Sequence, residues 1–167
     1  VMWEPHVSEA LFKPGYKKLL GSEDVDKLIV DILLVNRKFA NKKPELVKLF
    51  LKHYYTTLNV YSSQPEQLKQ DLLSHLGVNK KQLAFMLKGV KWLNYPENMR
   101  WFGLISQSTF KQPEIVQTIK ATINILVNNK DFSQNPLLHK DPYTILNSHF
   151  LKSLYDSGTF KQSFTVA

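Results

Sequence analysis

Cysteine is absent from this chain. That excludes disulfides, thiolate metal sites and a cysteine nucleophile, and it suits either redox compartment. Long hydrophobic runs are missing as well. The longest, Leu28 to Val35, is interrupted by Asp31 and falls short of the roughly 18 apolar residues a membrane span requires. Glycine is scarce, six in 167 residues, and none forms G-x-G-x-x-G or a phosphate loop. The five histidines (His6, His53, His75, His139 and His149) form no H-E-x-x-H, and no G-x-S-x-G elbow occurs. The chain is therefore read as non-enzymatic, with no cofactor and no metal. No signal peptide is visible, since Val1 is soon followed by Trp3, Glu4 and Pro5; this leaves export open.

What is present suffices for one ordinary domain. Hydrophobic residues make up 43%, with ten Phe, seven Tyr and three Trp, enough to build a core. The net charge is +8, with lysines in pairs (Lys17-Lys18, Lys42-Lys43, Lys80-Lys81) rather than in one block. Such a balance fits nucleic-acid binding or a lysine-rich solvated face. The second reading is taken, and no nucleic-acid partner is expected. A basic chain also raises the local concentration of anionic ligands.

The pivot of the sequence is Leu28 to Val35. Its Val and Ile enrichment predicts a strand buried on both faces, and such strands belong to sheets covered by helices. Asp31 within it must be hydrogen-bonded or face a cleft. Val1 to Trp3 and Tyr16 to Leu20 are read as two further short strands, with a helix over His6 to Phe12 between them.

From Asn36 onward the pattern is helical. Four helices open on proline followed by glutamate: Pro44-Glu45, Pro65-Glu66, Pro96-Glu97 and Pro113-Glu114. Proline loses nothing in a first turn, and glutamate complements the positive helix end. Their spacings of 21, 31 and 17 residues are too irregular for a repeat array. The first of these helices is predicted over Pro44 to about Tyr61, with Leu46, Val47, Phe50, Leu51, Tyr54, Leu58 and Tyr61 inward. Others follow over Pro65 to Leu76 with Gly77 as cap, Gln82 to Lys88 after Asn79, Pro96 to Phe102, Gln112 to Asn128 and Tyr143 to Asp156. Trp92 and Trp101 are read as core. The tail from Gly158 is expected to be loosely held.

Trp3-Glu4-Pro5-His6 has two readings. An aromatic and a carboxylate at a strand end suit a binding cleft, because ligands sit beyond the carboxyl ends of strands in open α/β sheets. Equally, Trp3 belongs to the core and Glu4 caps the next helix. For Asp31 the bland reading is a satisfied buried carboxylate.

Taken in order, Trp3-Glu4-Pro5-His6, Gly15 to Leu20, Ile29 to Phe39 and Lys43-Pro44-Glu45-Leu46-Val47 resemble the periplasmic substrate-binding proteins of ABC transporters, of the nitrate/sulfonate/taurine type. Gly89-Val90-Lys91-Trp92-Leu93, Glu97-Asn98, Phe102-Gly103 and Asp141-Pro142-Tyr143 are similar to later segments of that family. The resemblance implies an α/β, partial periplasmic-binding-protein type II fold, with a few short strands at the N-terminal end and about six helices behind. It implies that the chain is the C-terminal half only: residues 1–35 the end of lobe two with the hinge-crossing strand, and residues 36–167 a helical portion packing mainly on lobe one.

By the same resemblance the function is solute capture for a transport system, with a small, anionic solute held between two lobes. Trp3 and Glu4 would stand at the cleft wall and Asp31 near the hinge. The implied partners are the solute, the transporter's membrane subunit, and the missing N-terminal lobe or a second copy of the chain; the implied location is periplasmic. The alternative from a different class is a basic helical module that binds a protein or a nucleic acid.

Overall fold

The computed structural model describes residues 2–25, 27, 29–105 and 112–160. Among them there are helices and turns and no strand. The α/β expectation is thus overturned. The segments predicted as strands run without forming a ladder: Met2 and Trp3 lead into a turn, Tyr16 to Leu20 is irregular, and so is the span from 29 to 35. Val1 and Leu28 lie outside the described residues. The physical reason is pairing. A strand persists only when a neighbour satisfies its N–H and C=O groups and a layer covers its face, and short unsupported pairs are marginal. Here no layer covers them: Leu19 is 100% exposed and Leu34 81%.

Among the described residues eight α-helices follow from local signals. α1 (His6–Leu11) begins after Pro5. α2 (Arg37–Lys42) is capped by Asn36, whose side chain accepts from the Phe39 N–H at 3.2 Å. α3 (Pro44–Ser63) and α4 (Pro65–Leu76) open on proline, and α4 ends at Gly77 in the left-handed conformation, φ 64°. α5 (Lys80–Lys88) and α6 (Tyr95–Trp101) each start with a capping box. Asn79 and Gln82 satisfy each other's backbone in the first, Asn94 and Glu97 in the second. α7 (Glu114–Asn128) starts behind Pro113, and α8 (His149–Asp156) closes the described chain. All four Pro-Glu pairs therefore lie at helix starts. The expected last helix from Tyr143 is broken: Pro142–Ile145 is a 3-10 turn, and the chain straightens before His149.

The chain forms two compact units. One comprises Val1–Ile29 and Thr57–Trp92, the other Val30–Thr56 and Leu93–Ala167. In the first unit α5 packs against α1 and α4. Its interior is thin, with Leu83 (2% exposed) and Ser8 its fully buried side chains among the described residues. Lys81 lies over the Phe12 ring, 4.8 Å from its centre.

The second unit carries the larger core. Ala40 on α2, Val47 on α3 and Phe150 on α8 meet, with Leu51 packed against them. Tyr95, 0% exposed, stacks at 4.6 Å on Phe160 and meets Tyr55 edge-on at 5.2 Å. Pro96, Met99, Ile115, Val116, Ile123, Leu151 and Leu154 are buried with them. Phe160 thus anchors the start of the tail that was expected to be loose; residues 161–167 lie outside the described set.

Candidate functional site

The three residues singled out from the sequence are divided between the units. Trp3 and Glu4 fall in the first and Asp31 in the second. Trp3 is 67% exposed, so it is not a core residue. Glu4 is half-buried, and its carboxylate accepts from the buried Ser8 hydroxyl at 2.5 Å and from the Ser8 N–H at 3.3 Å. It therefore closes the first turn of α1, where a negative charge complements the helix dipole. The Ser8 hydroxyl also lies 3.0 Å from the Pro5 carbonyl. Asp31 stands on the irregular segment and is exposed, so its charge is met by solvent. The expectation of a carboxylate embedded in a buried strand fails for the same reason as the strand itself.

Two shallow, open clefts stand out among the described residues. In the first unit Met2, His6, Glu9, Ala10, Lys13 and Tyr16 surround about 290 Å³. His6 Nδ1 and the Glu9 carboxylate pair there at 3.1 Å, one turn apart on α1. In the second unit Glu45, Lys48, Leu49 and Lys52 of α3 face Ser153, Leu154 and Ser157 across about 250 Å³. Lys48 is held by Glu45 at 2.7 Å, which leaves Lys52 as the cation of that cleft. Among the described residues no group of three or more His, Asp and Glu is placed to hold a metal ion.

The titratable groups that depart from ordinary behaviour belong to the framework. Burial pushes the Tyr55 hydroxyl well above the tyrosine range, with Tyr54 and Tyr95 adding to the effect. Burial does the same to Tyr95, helped by Asp156 and Tyr155. Tyr143 is raised by burial and then by Asp141, and its hydroxyl donates to the Phe102 carbonyl at 2.7 Å. In the first unit the Tyr61 hydroxyl donates to Asp71 at 2.7 Å, which lowers the carboxyl and raises the phenol.

The surface that sequence reasoning missed is on α3. Its predicted inward face is split in two. Val47 and Tyr55 are buried, whereas Leu46, Phe50 and Tyr54 are exposed, as is Leu49. Leu46, Leu49, Phe50 and His53 follow i, i+3, i+4, i+7 spacing and so share one side of the helix. The signal was present in the sequence: apolar residues at 46, 47, 49, 50, 51, 54 and 55 are too many for a single stripe. Immediately before α3, Ile32, Leu33, Leu34, Val35 and Phe39 are also exposed.

Comparison with known proteins found no matching family model, no matching curated protein and no matching solved structure.

Proposed function

We propose that the chain is part of the solute-binding component of an ABC-type transport system and takes a small anionic solute. The observation that carries this reading is the ordered run of segments from Trp3-Glu4-Pro5-His6 to Asp141-Pro142-Tyr143, which extends over nearly the whole chain. The reading rests on residues and not on a sheet, since none is formed among the described residues. Trp3 remains available for apolar contact, whereas Glu4 is engaged by Ser8.

Calorimetric titration with nitrate, taurine and short alkanesulfonates tests it. Saturable binding of one of them, weakened by Trp3→Ala, is the expected result. The lack of saturable binding to all of them refutes the reading.

A second reading, a basic helical interaction module, is favoured by a different observation. Residues 30–56 carry six cations, Arg37, Lys38, Lys42, Lys43, Lys48 and Lys52, against Asp31 and Glu45. Binding of duplex RNA that falls steeply with salt would support this reading; its lack at low salt would remove it.

A further inference from the structure

From the composition and exposure of residues 32–54 we infer that the second unit docks on an anionic lipid surface. The segment from Ile32 to Val35 puts four aliphatic side chains in water. Phe39 of α2 and Leu46, Leu49 and Phe50 on one side of α3 follow them. Single exposed apolar residues need no explanation, but four in a row with four more within the next fifteen residues mark an interaction surface. Within the same stretch stand Arg37, Lys38, Lys42, Lys43 and Lys52, all exposed. Lys48, also on α3, is tied to the carboxylate of Glu45.

The charge decides the occupant. A second copy would bring six cations against six, a repulsion that the two carboxylates of the stretch, Asp31 and Glu45, are too few to relieve. A nucleic acid would answer the charge but not the side chains. Strand-binding surfaces use aromatic platforms for base stacking; here the aromatics Phe39, Phe50 and Tyr54 are outnumbered by the aliphatic Ile32, Leu33, Leu34, Val35, Leu46 and Leu49. An acidic protein would need a shape to fit, and residues 29–35 hold no regular structure to offer one. A bilayer asks for no shape complementarity. Its acyl boundary takes aliphatic and phenylalanine side chains while its headgroups attract lysine and arginine. The combination of cationic and aliphatic groups is the chemistry that such a surface recognises. This holds whether or not the chain binds a solute.

Vesicle co-sedimentation tests it, with phosphatidylcholine alone and with about 30 mol% phosphatidylglycerol added. The expected result is pelleting on the anionic vesicles, at least about tenfold weaker on neutral ones or in about 0.5 M salt. Two double variants are read beside it: Leu33→Ser with Leu34→Ser, and Lys42→Glu with Lys43→Glu. All four positions are exposed, and circular dichroism checks that the helices persist. Each variant should lose about tenfold or more. The inference is overturned by absence of pelleting on anionic vesicles at low salt. It is equally overturned if either variant pellets undiminished, or if duplex RNA at the same salt displaces the chain from vesicles.

Discussion

The hydroxyl of Tyr95 donates a 2.7 Å hydrogen bond to the carbonyl of Leu151, a residue 56 positions further along the chain. It ties the first turn of α6 to α8 at the most buried point of the second unit. Tyr95→Phe keeps the ring that packs on Tyr55 and Phe160 and removes only the donor. A buried hydrogen bond of this kind contributes about 1–2 kcal/mol. Urea unfolding should therefore place the variant about 1–2 kcal/mol below the parent. Tyr95→Ala should cost about 3–5 kcal/mol, because a cavity is added. Equal losses for the two would mean that packing contributes nothing there.

The same cluster sets an alkaline limit. Tyr55 and Tyr95 both hold their protons to higher pH folded than unfolded, chiefly because burial penalises the phenolate. Between the two values the folded state binds more protons, so stability falls as pH rises. The stabilisation is complete below the ordinary tyrosine value of about 10 and is lost above it. Thermal melts from neutral to strongly alkaline pH should show a drop that begins near pH 10, and Tyr55→Phe should flatten it. A parent and variant that fall in parallel would sink this account.

The helix starts were legible and the lack of a sheet among the described residues was not, for one physical reason. Caps and first-turn prolines act within four residues, so Asn79, Asn94, Pro44 and Pro65 mark helix starts without reference to the rest of the chain. A strand depends on partners distant in sequence, and the apolar composition of Leu28 to Val35 expresses a preference that no neighbour here fulfils. Periodicity also misled on α3. Tyr55 proved buried, while Leu46, Phe50 and Tyr54, assigned inward, stand exposed. Glu4 was readable as a helix cap from its place before Pro5, and that reading holds. The core reading of Trp3 fails, since the side chain is 67% exposed.

Gly103 is a position where a side chain is poorly tolerated. Its φ is +69°, and an added Cβ would lie 2.5 Å from Pro113 Cγ and 3.3 Å from the Tyr143 hydroxyl. Gly103→Ala combines left-handed strain with a contact no real Cβ adopts, so a loss of about 1–3 kcal/mol is expected. Gly89 is the control. It ends α5 with φ −85°, and an added Cβ meets only the Met86 carbonyl, at 3.6 Å. Gly89→Ala should stay within about 0.5 kcal/mol of the parent. Chemical denaturation of the two variants separates backbone conformation from simple loss of glycine.

Tyr61 and Asp71 allow a local test in the first unit, one that global unfolding would blur. The Tyr61 hydroxyl and the Gln67 amide both donate to Asp71, at 2.7 and 2.9 Å, and the nearby His75 favours the anion further. The hydrogen bond from Tyr61 is the largest of these influences on the carboxyl. In the folded chain Asp71 should titrate below the ordinary aspartate value of about 3.9, and Tyr61→Phe should move it back most of the way. The sign for stability follows. A depressed carboxyl stabilises the fold above its unfolded value, and that contribution disappears as pH falls through the folded one. The difference in stability between parent and Tyr61→Phe should therefore be present at neutral pH and vanish in acid. It should be small throughout, because the pair is solvated. Side-chain carboxyl titration by NMR reads the shift directly. Unchanged titration of Asp71 in the variant would transfer its cause to Gln67 and His75, and the tie between the end of α3 and α4 would then have to be sought in packing alone.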